Sequence, residues 1–307
     1  MPYSVRMQKS HLYSVFFAPR GNVRMVDLGM QIAQQYLSPF DYLVGFIGEA
    51  GSGKSMLVKG MFPGLELSND DEGVNVRPLP LLDVDDGGFY SAHTYHLDVR
   101  FESAFTQMHV LAEAILNAIS KGKRVVVEHF DLIFPFLGRN ANLLIGVGEE
   151  IIVTRPNLFG PEPQDVCDIV FKSIRFRKMA HTAEDLCEFF IQKTYSGKMT
   201  HDDVKHGFML GFSEQPDIDL ELLQKQVNGL IEADLPISYL DEEHVLIGEF
   251  EHYCTGPRMH IRSTGEIGKF KLLQEFHYDA AYERYLLVGL VGDENEHLGK
   301  DLNKIMF

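Results

Sequence analysis

The chain has 307 residues, with 44 Asp and Glu against 28 Lys and Arg, giving a formal net charge of −16. That balance excludes general, sequence-blind binding to nucleic acid, which needs a basic footprint, and leaves RNA only a local patch. Apolar residues make up 45%, no apolar run approaches a membrane span, and three scattered cysteines form no disulfide framework. Together these predict two globular domains in a reducing cytoplasm, with no membrane partner.

Along the chain, Met25 to Tyr36 has helical spacing and reads as a lead-in element to the first domain. The apolar run Tyr42-Leu43-Val44-Gly45-Phe46-Ile47 predicts a buried strand. Directly after it, Gly48-Glu49-Ala50-Gly51-Ser52-Gly53-Lys54-Ser55 fits G-x-x-x-x-G-K-S/T in full, and Ser55 to Phe62 is helix-compatible. Strand, loop and helix in that order are the context a phosphate cradle needs. Its glycines turn backbone N–H groups inward, and the helix N-terminus adds positive potential. Lys54 is then expected to reach the β- and γ-phosphates of ATP, and Ser55 to ligate Mg²⁺.

Ser68 to Gly88 is rich in Asn, Asp, Gly and Pro and reads as mobile surface loops. Thr94 to Phe101 reads as a strand, Ala104 to Lys121 as a helix, and Arg124 to Glu128 as a β-branched strand. Ala141 to Arg155 reads as a hairpin turning at Gly148-Glu149-Glu150. This alternation predicts an α/β domain with a mainly parallel sheet. Lys172, Arg175, Arg177 and Lys178 form a basic cluster that reads as a solvated linker, and the domains divide as 1–172 and 173–307.

Binding phosphate is not yet hydrolysis, which needs a carboxylate near Mg²⁺ and another that orients the nucleophile. Asp98 and Glu128 each end a strand-like run, where ligands sit in doubly wound sheets. Asp98 is assigned to Mg²⁺, through water, and Glu128 to the general-base or water-orienting role, with Asp131 in reserve. His96-Leu97-Asp98-Val99-Arg100 resembles the H-L-D-x-Y-R segment of the P-loop ATPase subunit of the bacterial tRNA threonylcarbamoyladenosine-forming machinery. Val125 to Phe130 resembles that family's apolar strand ending I-E-W-P. The resemblance covers about residues 40–155 and implies that Lys54, Ser55, Asp98 and Glu128 form an ATPase centre. The family's Tyr-Arg pair is absent at Val99-Arg100-Phe101, and the insert before Asp98 is longer.

In the second half, Met179-Ala180-His181-Thr182-Ala183-Glu184-Asp185-Leu186 opens a helix-like stretch running to Thr194. With Cys254 to Lys271, it resembles the second additional, editing-type α+β domain of alanyl- and threonyl-tRNA synthetases. Ser263-Thr264-Gly265-Glu266-Ile267-Gly268-Lys269-Phe270-Lys271 is the longest matching segment, and Arg284 falls where that family carries an Arg. The resemblance implies a Zn²⁺ site at His181, Asp185, Cys254 and His260. Asp185 stands where the family has His, and five residues separate Cys254 from His260 instead of three. Either a two-residue insertion displaces Cys254, or Gly256 occupies the ligand position. The four residues then form a rearranged site, or the fold is residual and its metal lost; poor tolerance of displaced ligands favours loss. His244, His252 and His277 read as exposed or hydrogen-bonding histidines.

The combined expectation is an ATPase or nucleotide switch whose second domain handles tRNA or an aminoacyl-type small molecule. A nucleoside-type kinase and a non-catalytic nucleotide-binding module remain as alternatives.

Overall fold

A strand with apolar residues at every position must be covered on both faces, and β2 is such a strand. In the computed structural model, described here over residues 13–68, 79–84 and 92–292, the chain falls into two compact units divided at Lys172/Ser173. Pro19–Gly21 belongs with the second unit.

The first unit runs β1 (Tyr13–Phe17), α1 (Asn22–Tyr36), β2 (Leu43–Ile47), α2 (Lys54–Met61), β3 (Thr94–Asp98), α3 (Val99–Glu102), α4 (Met108–Ser120), β4 (Arg124–Glu128), α5 (Phe130–Leu137), β5 (Leu143–Val147) and β6 (Glu150–Thr154). Its sheet has the order β1-β6-β5-β2-β4-β3. Strands β3, β4, β2 and β5 are mutually parallel, while β6 turns back antiparallel from β5 and β1 pairs antiparallel with β6. This is a mixed, mostly parallel α/β sheet. Alternate residues of β2 enter different cores, as the period of a strand dictates. Leu43 and Ile47 pack with Leu97, Leu111, Val127 and Phe130, whereas Val44 and Phe46 pack with Met25, Ile32, Leu57 and Val126.

The second unit takes the greater part of α6 (Pro163–Ile191), then β7 (Met199–Val204), β8 (Gly207–Phe212), α7 (Leu220–Glu232), β9 (Ile237–Tyr239), β10 (His244–Ile247), β11 (Phe250–Tyr253), β12 (Phe270–Leu272), β13 (His277–Asp279) and β14 (Arg284–Val291). One antiparallel sheet has the order β11-β10-β9; the other runs β12-β14-β8-β7, with β13 also paired to β14. Phe176, Ala180, Ala183, Cys187 and Ile191 recur at helical spacing on α6 and join Phe208, Leu210 and Phe212 in one core.

Four expectations are corrected. The strand over Thr94 to Phe101 stops at Asp98, because its carboxylate accepts the Phe101 N–H at 3.1 Å and caps α3. The helix expected from Met179 already begins at Pro163, and Lys172 to Lys178 is helix with Phe176 and Arg177 buried, not a solvated linker. The apolar period running through the basic residues outweighs their charge. The helix expected from Ala104 starts at Met108. Of the stretch from Ser68 to Gly88, residues 69–78 and 85–88 lie outside the described residues, and Pro80–Leu82 is a 3₁₀ turn. Among the described residues, no helix is long and apolar enough to cross a membrane.

The segment Ser263 to Lys271 has a scaffolding role. Thr264, fully buried at the start of a 3₁₀ turn (Thr264–Ile267), donates to Leu230 O at 2.6 Å and accepts from Leu235 N at 2.8 Å. Both partners flank the end of α7. Thr264→Val leaves two partly buried backbone groups without this partner and should cost about 1–3 kcal/mol of stability, read as a lower urea midpoint with an unchanged slope.

Candidate functional site

The glycine-rich loop joins β2 to α2 and is shaped by close contacts. Gly48 has φ 154°, and a Cβ there would stand 2.6 Å from Val147 O; Gly53 has φ 93°, with Met25 Cε at 2.9 Å from its would-be Cβ. Only glycine meets both demands. Lys54, the first residue of α2, is buried, and its Nζ donates to Gly48 O at 3.0 Å and Glu49 O at 2.7 Å. Burial pushes the Lys54 ammonium below the ordinary lysine range, while Glu128, Asp98 and Asp131 pull it partly back.

Glu128 ends β4 beside Asp98 of β3, the two being in register. Its carboxylate is buried and accepts from His96 Nε2 at 3.2 Å. The tautomer of His96 follows from its other nitrogen: Nδ1 accepts the Ser68 N–H at 3.0 Å, so Nε2 carries the proton. Ser68 Oγ in turn accepts the Asp98 N–H at 3.0 Å. Burial pushes Glu128 up, but the hydrogen bond from His96, the charge of Lys54 and the Ser55 hydroxyl outweigh it, holding the carboxyl below its usual range. A carboxylate so satisfied is a weak base and a good orienting acceptor. Asp131, by contrast, is pushed up by burial, and its Oδ1 is buried without a hydrogen-bond partner among the described residues.

In the second unit, α6 puts His181, Glu184, Asp185 and Glu188 on one face, three or four residues apart. The loop after β11 brings Cys254 and His260 to it. Ligand atoms of His181, Asp185, Cys254 and His260 all lie within 4.8 Å of one another. His181 Nε2 is 3.1 Å from Cys254 Sγ, and His260 Nε2 is 2.8 Å from Asp185 Oδ2. A 3₁₀ turn, Pro257–Met259, lies between Cys254 and His260. Gly256 is also present, its carbonyl 3.2 Å from His181 Nε2. Burial pushes His181 well below the ordinary histidine range. Burial would raise Asp185, but the charge of His181 and the hydrogen bond from His260 hold it far below the usual carboxylate range. Cys254 is pushed up by burial and by Asp185.

A tetrahedral site with bonds of about 2.0–2.3 Å has ligand–ligand edges of roughly 3.3–3.8 Å. These donors need shift only slightly to reach that, and the mix of two imidazoles, a thiolate and a carboxylate suits Zn²⁺. The buried His181 Nδ1 has no hydrogen-bond partner among the described residues. The nearest carboxylate oxygens to it are Glu184 Oε2 at 3.8 Å and Asp185 Oδ1 at 4.0 Å.

Several neighbours carried no signal in the sequence. Glu184 is held by Arg20 and by His201 Nδ1, the latter at 3.2 Å, and Arg20 also pairs with Asp203 at 2.8 Å. His252, expected to be exposed or hydrogen-bonded, is buried, and its Nε2 lacks a hydrogen bond at 3.9 Å from Asp185 Oδ2. His244 and His277 are accessible and lie near carboxylates. Arg284 pairs with Asp202 and Asp279, away from the cluster's own donors.

No protein-family model matches the chain, and no curated protein matches it.

Arg20 is the counter-charge for a carboxylate with almost no solvent contact. Arg20→Met should therefore destabilise the chain by about 3–5 kcal/mol in urea unfolding, since it takes the guanidinium away from the buried Glu184 carboxylate. The double variant Arg20→Met/Glu184→Gln should recover part of that loss.

Proposed function

We propose that the first unit binds Mg–ATP and hydrolyses it, and that the second holds a metal beside a recognition surface for tRNA or an aminoacyl-type ligand. The observation that carries the nucleotide reading is the Lys54 ammonium, buried at a helix start and held on the carbonyls of Gly48 and Glu49. Such a cation is poised to exchange loop carbonyls for β- and γ-phosphate oxygens, with the loop N–H groups and the α2 N-terminus completing the cradle. Ser55 and Asp98 are the residues that would hold Mg²⁺, whose charge would neutralise the phosphates. Glu128 is the water-orienting group in this reading, since its carboxylate is kept ionised and pointed by His96.

For the second unit, support comes from the four donors and from the resemblance noted for its sequence; the tRNA link rests on the latter alone. His181, Asp185, Cys254 and His260 would hold Zn²⁺. Four protein donors close a tetrahedral site, which favours holding structure over activating water.

Steady-state phosphate release tests the nucleotide reading. Lys54→Ala should abolish it, and Glu128→Gln should lower kcat by about 10²–10⁴-fold while ATP still binds. Accumulation of a phosphorylated small molecule without free phosphate would replace the ATPase by a kinase.

Metal content tests the second unit. One zinc per chain is expected by elemental analysis of the purified protein, and Cys254→Ser should weaken retention against a chelator by at least about tenfold. Absence of stoichiometric zinc from the wild-type chain would remove the metal reading.

A further inference from the structure

His129 is the residue in the first unit whose conformation has no structural return. It follows Glu128 at the C-terminal end of β4 and occupies the left-handed region, with φ 56° and ψ 47°. That region is uncommon for a residue with a Cβ, and such strain persists where the surroundings impose it. The position is the N-cap of α5, yet the imidazole makes no capping hydrogen bond. It is 7% exposed, and among the described residues its side chain has no hydrogen bond, ion pair or ring contact. Lys54, Asp98, Glu128 and Arg100 are near enough to act on it electrostatically, and the last three act on the loop lysine as well.

Resting on the ATPase reading, we propose that His129 donates a hydrogen bond to a γ-phosphate oxygen of bound ATP and strengthens it as charge develops in hydrolysis. In that step the oxygen of water bonds to the γ-phosphorus, and the bond to the β–γ bridging oxygen breaks with its electron pair leaving on ADP. Both protons of the water end on the released phosphate, and His129 neither gains nor loses one. In the nucleotide-free chain, burial and the Lys54 charge push His129 down to about 4, so it meets the nucleotide as a neutral imidazole with one N–H to donate.

The test compares wild type with His129→Gly, which accepts the left-handed backbone without a donor, and His129→Asn, which accepts it and keeps an N–H. Nucleotide affinities are read by calorimetry, turnover by phosphate release, and stability by thermal unfolding. In His129→Gly, kcat should fall about 10²–10³-fold. ATP should lose about five- to tenfold in affinity relative to ADP, with ADP binding and melting temperature undiminished. His129→Asn should retain more of both properties. Turnover and the ATP-to-ADP affinity ratio within twofold of wild type in His129→Gly would overturn the proposal, as would equal losses for ATP and ADP, the mark of a merely structural role. A wild-type chain that binds neither nucleotide would instead overturn the nucleotide reading beneath it.

Discussion

An ammonium group buried at the start of a helix has to be met by dipoles or negative charge, and the first unit meets Lys54 with both. Two loop carbonyls accept from it directly, and strand ends supply the carboxylates of Glu128 and Asp98. The order of the sheet makes that supply possible. Strand β4 lies beside β2, and β3 beside β4, so the ends of three parallel strands open on one edge and their terminal residues converge. The buried apolar residues of β2 and of the middle of β4 then have a second consequence. They leave the charged groups no place but the strand ends, and there a network of hydrogen bonds must hold them.

That network runs from Ser68 through His96 to Glu128. Its direction is set by one backbone N–H: because Ser68 N donates to Nδ1, the imidazole donates from Nε2 and Glu128 accepts. The same serine hydroxyl accepts from the backbone of Asp98, so the two candidate carboxylates are positioned by one side chain. Glu128 and Asp131 show how environment separates two acids three residues apart. The first has donors enough to remain charged, while the second is pushed towards its neutral form.

Local, continuous patterns were the ones the sequence could reveal. The loop from Gly48 to Ser55 is legible because motif, strand and helix adjoin, and Glu128 because a carboxylate ends a β-branched run. His96 drew notice only within a resembling segment, since its role needs strand register. It pairs with Val126, which puts it on the same face as Glu128 two residues further on. Cys254 and His260 come together across a 3₁₀ turn, Pro257–Met259, which residue counts do not reveal. Arg20 and Glu184 were invisible for a plainer reason. They are 164 positions apart, and nothing near either one announces that the other neutralises it.

The second unit separates scaffold from chemistry. The segment Ser263 to Lys271 spends its most buried polar group, Thr264, on closing the end of α7, and Gly265 N donates to Asp234. The chemistry lies instead among the clustered donors, where a carboxylate, Asp185, stands beside the imidazoles of His181 and His260. In the proposed zinc reading, Cys254 as thiolate and Asp185 as carboxylate, with two neutral histidines, would cancel the charge of a zinc dication, which is the arrangement a buried site favours. Two anionic donors would also lower the metal's pull on any further ligand. In that reading Asp185 would favour a metal held within the fold over one kept electrophilic for attack on an ester.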